Sequence, residues 1–211
     1  MVFHILSIIL AGILSLADYV TEHIFSKKLR NNQKLISFSS GVAIAYIFLY
    51  LFPEIASYAL IDGRKLFIFA LLGFVALNLI EQFVYKRTEK IKNIPAYHKN
   101  VHIAYFFIYN LAIGVVLVNF ATRGLSRTLL FFIPFLLYIT AEILPQEFEI
   151  KRNMSKMIYS MAPVFGAIAG VYYIDFAASI FGMLVSFIAG TLLYIVIKES
   201  LPSNEAEKPL Y

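Results

Sequence analysis

The sequence predicts an all-α integral membrane protein, a polytopic bundle of about seven transmembrane helices. Of its 211 residues, 60% are hydrophobic, whereas an ordinary soluble domain has about 45–50%. Charged residues make up only 15%, against about 25% in soluble domains, and they occur in short clusters between apolar runs. Together these observations exclude a soluble fold and indicate a chain that folds within a lipid bilayer.

The apolar runs define the predicted spans. A helix rises about 1.5 Å per residue, so about 20 apolar residues are needed to cross the hydrocarbon core. Seven segments meet this requirement: residues 3–25, 36–58, 66–85, 102–121, 128–148, 157–174 and 177–198. The last two belong to one apolar run, interrupted only by Asp175, that is about twice as long as one crossing requires. A tight hairpin is therefore expected at residues 173–175. The first span has a second interpretation as a signal peptide, because Ser15-Leu16-Ala17 follows an apolar core, although basic residues are missing before that core.

The positions of Lys and Arg predict the orientation of the bundle. Taking alternate connections, one side carries 14 of these residues and the other side carries 4. Positively charged loops are retained in the cytoplasm, so the N-terminus is expected outside and the C-terminus inside. Residues 1–202 are expected to form a single transmembrane bundle in the plasma membrane, followed by a short polar tail at 203–211.

Composition and motifs exclude several function classes. The chain has no Cys, which excludes a disulfide scaffold and a thiolate metal site. The net charge of +5 does not indicate nucleic-acid binding, because the basic residues lie in connections between spans. The motifs His-Glu-x-x-His and Gly-x-Ser-x-Gly are missing, as is a pair of aspartates at one depth, so an enzyme is not predicted. Lys198 lies at the end of the last span, which argues against a retinal-binding light sensor.

Small residues on two spans predict close helix contacts. Gly166 and Gly170 are four residues apart on the sixth span, and Gly182, Ser186 and Gly190 share that spacing on the seventh. Such residues allow helix backbones to approach closely in membranes.

Three spans end in similar motifs that combine a tyrosine, a proline and a carboxylate. The residues are Tyr46, Tyr50, Pro53 and Glu54 in the second span, Tyr138, Glu142, Pro145 and Gln146 in the fifth, and Tyr194, Glu199 and Pro202 in the seventh. Proline removes an amide donor and frees an upstream carbonyl, so a backbone oxygen and a carboxylate can face one polar spot suited to a cation. The alternative is a helix that stops at the interface with a solvated Glu.

These motifs resemble the ZIP (Zrt/Irt-like) family of divalent-metal transporters. The segment 36–54 is similar to that family's second helix, Asn110-Leu-Ala-Ile-Gly114 to part of its fourth, and the segment 189–202 to its seventh. The order of the motifs agrees with the family, as do the external N-terminus and the cytoplasmic loop after the third span. The resemblance implies a ZIP-like fold and transport of a divalent cation such as zinc, iron or manganese, with the cation as substrate.

The sequence also departs from the family at the positions of its metal ligands. The family places His, Asn, Asp or Glu four residues apart on its fourth and fifth helices, so that they share a helix face. Tyr105 and Tyr109 occupy the fourth-helix positions here, Tyr50 replaces a His, and an eighth helix is not expected. If Pro134 matches the family's fifth-helix proline, its flanks are Phe132 and Phe135 and the site is absent. The remaining candidate metal contacts are Asn110, Glu142, Gln146 and Glu199.

These departures leave a second function open. The chain could be a non-transporting membrane scaffold or interaction subunit, acting as a homo-oligomer or with a partner subunit that completes the fold. The lipid bilayer is the expected partner under both hypotheses.

Ionisable residues within the spans are functional candidates, because a charge inside a bilayer costs several kcal/mol on insertion scales. Asp18 lies late in the first span, Glu81 lies late in the third with Asn78 one turn earlier, and Glu142 lies late in the fifth. The alternative for each is a side chain that extends to the headgroups. His98 and His102 are four residues apart at the start of the fourth span, where they form a weaker candidate metal pair beside Lys99.

Overall fold

The chain is an all-helical bundle over the residues that its computed structural model describes, namely 2–21, 33–88, 96–141, 153–172 and 178–200. Within these ranges only the short turns at 63–64, 123–124 and 161 interrupt the helices, and no strand occurs. The predicted fold class, a helical bundle, is therefore confirmed.

The helices follow the predicted spans closely. Their bounds are α1 Val2–Val20, α2 Gln33–Tyr46, a π-helical turn Ile47–Leu51, α3 Phe52–Asp62, α4 Lys65–Thr88, α5 Ala96–Thr122, α6 Leu125–Ala141, α7 Asn153–Ser160, α8 Ala162–Tyr172 and α9 Ala178–Ser200. Five helical segments are long and apolar enough to cross a membrane, and they correspond to α1, the continuous α2–α3 segment, α4, α5 and α9. The fifth and sixth predicted spans correspond to shorter apolar helices in the part that the structure describes.

The second span is longer than predicted. The span was predicted as residues 36–58, and the helix continues past Pro53 to Asp62. The reason is the π-helical turn that precedes the proline: the Phe52 amide donates to the Ile47 carbonyl, five residues back. This wider turn changes the backbone hydrogen-bond register just before Pro53, which has no amide hydrogen to donate. The helix therefore continues beyond the proline.

The sixth span is not the single helix predicted for residues 157–174. It is divided at Met161 into α7 and α8. Pro163 lies two residues after Met161. Because proline has no amide hydrogen, it cannot donate the bond to the carbonyl of residue 159 that a continuous helix needs. The predicted hairpin at 173–175 and the tail at 203–211 lie outside the described residues.

Two helix pairs form the tightest contacts of the bundle, α4 with α9 and α5 with α8. Gly190 touches the α4 backbone so closely that a Cβ atom there would overlap the Ala70 carbonyl oxygen. A Cβ atom at Gly166 would likewise overlap the carbonyl oxygen of Leu111. The predicted close contacts at Gly166 and Gly190 are confirmed, and they hold the backbones nearer than any side chain would permit.

Candidate functional site

The strongest candidate site is a row of polar side chains along the second span. Tyr46, Tyr50, Glu54 and Tyr58 are spaced four residues apart, and we call them the tyrosine ladder. Side chains four apart share a face of an α-helix but drift around it over several turns. The π-helical turn at Ile47–Leu51 has more residues per turn and compensates for this drift. The row therefore stays on one side of α2 and α3.

The inner half of the ladder, Tyr46 and Tyr50, is surrounded by aromatic rings. The rings of Tyr46 and Tyr50 stack with their centroids 5.3 Å apart and an interplanar angle of 19°. Phe135 on α6 meets the Tyr46 ring edge-on at 6.0 Å, and Phe120 on α5 lies 5.9 Å from the Tyr50 ring. Helices α2, α5 and α6 thus meet around an aromatic core rather than around an open polar cavity.

In the outer half of the ladder, Glu54 and Tyr58, the carboxylate of Glu54 forms an ion pair. Arg123, in the turn after α5, donates from an Nη atom to Glu54 Oε1 at 2.9 Å. The guanidinium carbon also lies 5.2 Å from the centroid of the Tyr58 ring and 4.8 Å from that of Phe181 on α9. Both side chains of the ion pair are partly shielded, with exposed fractions of 29% for Arg123 and 15% for Glu54. This arrangement connects α3, α5 and α9 at one end of the bundle.

Several polar atoms around the ladder have no hydrogen-bond partner within the described structure. They include the hydroxyls of Tyr46, Tyr50 and Tyr58. Tyr46 is only 6% exposed, and the Tyr50 hydroxyl lies in the electrostatic field of Glu54, Arg123 and Arg127. Buried polar groups usually have a partner, so groups without one indicate a place for a ligand, an ion or water.

A second set of polar side chains joins α4, α5 and α9, and we call it the interhelix network. The Tyr105 hydroxyl donates to the Gly73 carbonyl at 2.9 Å and accepts from Thr191 Oγ1 at 2.7 Å. Nearer the end of α9, Glu81 Oε2 accepts from the Tyr194 hydroxyl at 2.9 Å and pairs with Lys198 Nζ at 2.6 Å. These bonds connect three helices, and they give hydrogen-bond partners to the polar side chains that lie inside the bundle.

The structure describes only some of the ionisable residues predicted within the spans. Glu81 is buried at 8% exposure, and it is paired within the bundle rather than extended to the headgroups. Asn78, one turn earlier on α4, accepts a hydrogen bond from the Gln82 side chain at 2.8 Å. Glu142 and the side chains of His98 and His102 lie outside the described residues.

The four predicted metal contacts are placed only in part. Asn110 is partly buried on α5. Glu142 and Gln146 are outside the described ranges, and only the backbone of Glu199, within α9, is described. Among the residues that the structure does place, no three His, Asp or Glu side chains converge as a metal site requires. A contact among the four predicted residues stays a prediction.

The sequence analysis did not predict Arg123 and Tyr58 as site residues. The pairing of Arg123 with Glu54 joins positions 69 residues apart, which no local pattern indicates. The regular spacing of Tyr46, Tyr50, Glu54 and Tyr58 was a usable signal for the ladder, since it continues one helix face through Pro53.

Comparison with known proteins gives no relative for this chain. The family models, the curated proteins and the solved structures contain no significant match to it.

Proposed function

We propose that this chain transports a divalent cation across the plasma membrane, on a helical plan similar to that of the ZIP family. In this proposal the cation moves between α2, α5 and α6, with the N-terminus outside. Its contacts are the polar atoms of the ladder together with Asn110, Glu142, Gln146 and Glu199. Zinc, iron or manganese is the expected substrate.

The observation that carries this proposal is the set of buried ladder atoms without partners. A buried hydroxyl that makes no hydrogen bond costs about 1–3 kcal/mol, and the Tyr46 and Tyr50 hydroxyls are both of this kind, on rings that stack. A helix that only packs would have phenylalanine at both positions at no such cost. Oxygen atoms held inside an apolar bundle, in line with a carboxylate, are what a hard cation needs on its path.

The ion pair implies that the described conformation is closed at the Arg123 end. Glu54 already has a positive partner at 2.9 Å, and a second cation at the carboxylate would be repelled by the guanidinium. Transport therefore requires Arg123 to withdraw from Glu54. The rings of Tyr58 and Phe181 can still hold the guanidinium through cation–π contact.

The test is metal uptake by cells that express the chain, measured for zinc, iron and manganese. The variants are Glu54→Gln, Glu142→Ala and Glu199→Ala, each expected to lower uptake at least about tenfold if a cation contact is lost. Ser57→Ala is the matched control, because Ser57 is exposed on the same helix and its hydroxyl bonds only the Glu54 carbonyl. Uptake that is absent, or unchanged in all three variants at equal expression, would refute the proposal.

A second candidate is a non-transporting membrane scaffold or interaction subunit, and the environment of Tyr105 favours it. This residue occupies a position where the resembling family has a metal ligand, yet its hydroxyl is taken by Gly73 and Thr191. The aromatic core between α2, α5 and α6 also favours a non-transporting scaffold. Crosslinking in native membranes would then give a defined oligomer or heteromer, whereas a functional solitary monomer would count against this candidate.

A further inference from the structure

A further polar site, outside the ladder and the interhelix network, lies where α1 packs against the break between α7 and α8. The break occurs at Met161, just before Pro163. Because proline has no amide hydrogen, the Tyr159 carbonyl cannot receive the usual helical bond from residue 163. The neighbouring bonds persist, with the Met161 amide donating to Met157 O at 3.1 Å and the Phe165 amide to Met161 O at 3.0 Å. The break thus leaves a backbone oxygen available next to Ser160.

Helix α1 brings a carboxylate to this break. Asp18 lies within an apolar stretch long enough to cross the membrane, at Phe3–Val20. Its carboxylate faces the Ser160 hydroxyl closely enough to interact with it. Ser15 lies three residues before Asp18, on the same side of the helix. The Asp18 carboxylate and the Ser160 hydroxyl therefore meet at the break, and Ser15 lies about one turn before Asp18 on α1.

The two hydroxyls are the observation that indicates a ligand. Ser15 is 7% exposed and Ser160 is 2% exposed, and neither Oγ atom has a hydrogen bond of normal geometry in the part of the chain that is described. Serine in a helix commonly satisfies its hydroxyl by bonding a carbonyl three or four residues earlier, as Ser7 and Ser186 do here. Ser15 and Ser160 do not, and a bound ion would give each of these buried oxygens a partner besides Asp18.

We propose that Asp18, Ser15 and Ser160, with the Tyr159 carbonyl, form a binding site for a sodium ion. All four groups supply oxygen, and hard cations prefer oxygen ligands. Among these four groups Asp18 supplies one formal negative charge, which a monovalent ion neutralises, whereas a divalent ion would leave a net positive charge on them in a medium of low dielectric constant. Carbonyls exposed where a membrane helix is interrupted are suited to such ions.

The proposal does not depend on the function of the ladder, because none of its residues belongs to the ladder. It also shares no residue with the predicted divalent site, which consists of Asn110, Glu142, Gln146 and Glu199. A sodium site here would tie α1 to the broken helix, so occupation should stabilise the fold even in a chain that transports nothing.

The experiment uses the full chain purified in detergent. Thermal unfolding is followed while sodium chloride replaces choline chloride at constant ionic strength, and binding of radioactive sodium is measured in parallel. The midpoint of unfolding is expected to rise with sodium and not with potassium at the same concentration. Asp18→Asn should abolish the sodium dependence, and Ser160→Ala should weaken the apparent affinity at least about tenfold.

The matched control is Asp62→Asn, which alters another partly buried carboxylate whose Oδ1 atom accepts a hydrogen bond from Ser179. Its sodium dependence should equal that of the unaltered chain. If Asp18→Asn does not fold, Ser160→Ala and Ser15→Ala decide the question, because each removes one ligand and keeps the charge. The proposal is overturned if sodium and potassium act equally, if sodium has no effect, or if the serine variants bind sodium as tightly as the unaltered chain.

Discussion

The tyrosine ladder and the interhelix network contain similar residues but differ in whether their polar atoms are paired. Both place tyrosines and a carboxylate in the bundle interior, and both include an ion pair, Glu54 with Arg123 and Glu81 with Lys198. In the network, the Tyr105 hydroxyl makes two hydrogen bonds to two other helices. In the ladder, the Tyr46 hydroxyl is equally buried and makes none among the described residues.

This difference separates a structural role from a functional one. A polar group inside a membrane bundle stabilises it when its bonds are completed by other helices, and that explains the network without any ligand. The same group without partners lowers stability, so its presence requires another reason. The ladder is therefore where a bound species is expected, and the network is where rigidity is expected. Each of the following substitutions tests one side of this contrast.

The largest effect on the unfolding free energy is expected for Gly190→Leu, which disrupts the interhelix network without altering any of its polar atoms. A side chain at this position collides with the Ala70 carbonyl and must push α4 away from α9. That movement separates Thr191 from Gly73, between which Tyr105 makes its bonds. Overpacking against a backbone atom should cost about 3 kcal/mol or more, measured by denaturant unfolding in detergent micelles.

Gly41→Leu is the control for this substitution. Gly41 lies on α2 and a Cβ atom there would have nothing within 4 Å, so the same change should leave the unfolding free energy within about 0.5 kcal/mol. Equal costs at the two glycines would show that leucine itself disturbs the helices and that the α4–α9 contact has no special importance.

The spans and the small-residue contacts could be predicted from the sequence because they depend on local composition. A helix that crosses a membrane must be apolar over about 20 residues, and α1, α4, α5 and α9 follow that rule. Glycines at four-residue spacing similarly have few roles other than close packing, as Gly166 shows.

The interior pairings could not be predicted, because they depend on which helix faces which. The spacing of Tyr46, Tyr50 and Glu54 was visible, but nothing local shows that Arg123 reaches Glu54 from another helix. The end of the second span, predicted at residue 58 and found at Asp62, also depends on backbone geometry. Proline usually ends a helix, and Pro53 does not because a π-helical turn precedes it. The sequence carries no simple signal for such a turn.

A smaller effect is expected for Tyr105→Phe, which removes one hydroxyl from the network. The Gly73 carbonyl keeps its place in the α4 helix, and Thr191 can rotate to bond its own helix, so part of the loss is recovered. Hydrogen bonds between membrane helices average about 0.6 kcal/mol and reach about 1.7, which gives an expected cost of about 1 kcal/mol. Double-mutant analysis with Thr191→Val should show coupling between the two residues, and additive costs would contradict the bond.

The smallest effect on stability is expected for Tyr46→Phe, the same chemical change made in the ladder. The ring keeps its stack on Tyr50 and its edge contact with Phe135, and the only atom lost is a buried hydroxyl without a partner. The unfolding free energy should change by less than about 0.5 kcal/mol or rise slightly. Cation uptake, if the ladder carries it, should fall in the same variant. A cost of about 1 kcal/mol, as at Tyr105, would mean that the hydroxyl is already bonded in the folded protein, and the contrast between the two regions would disappear.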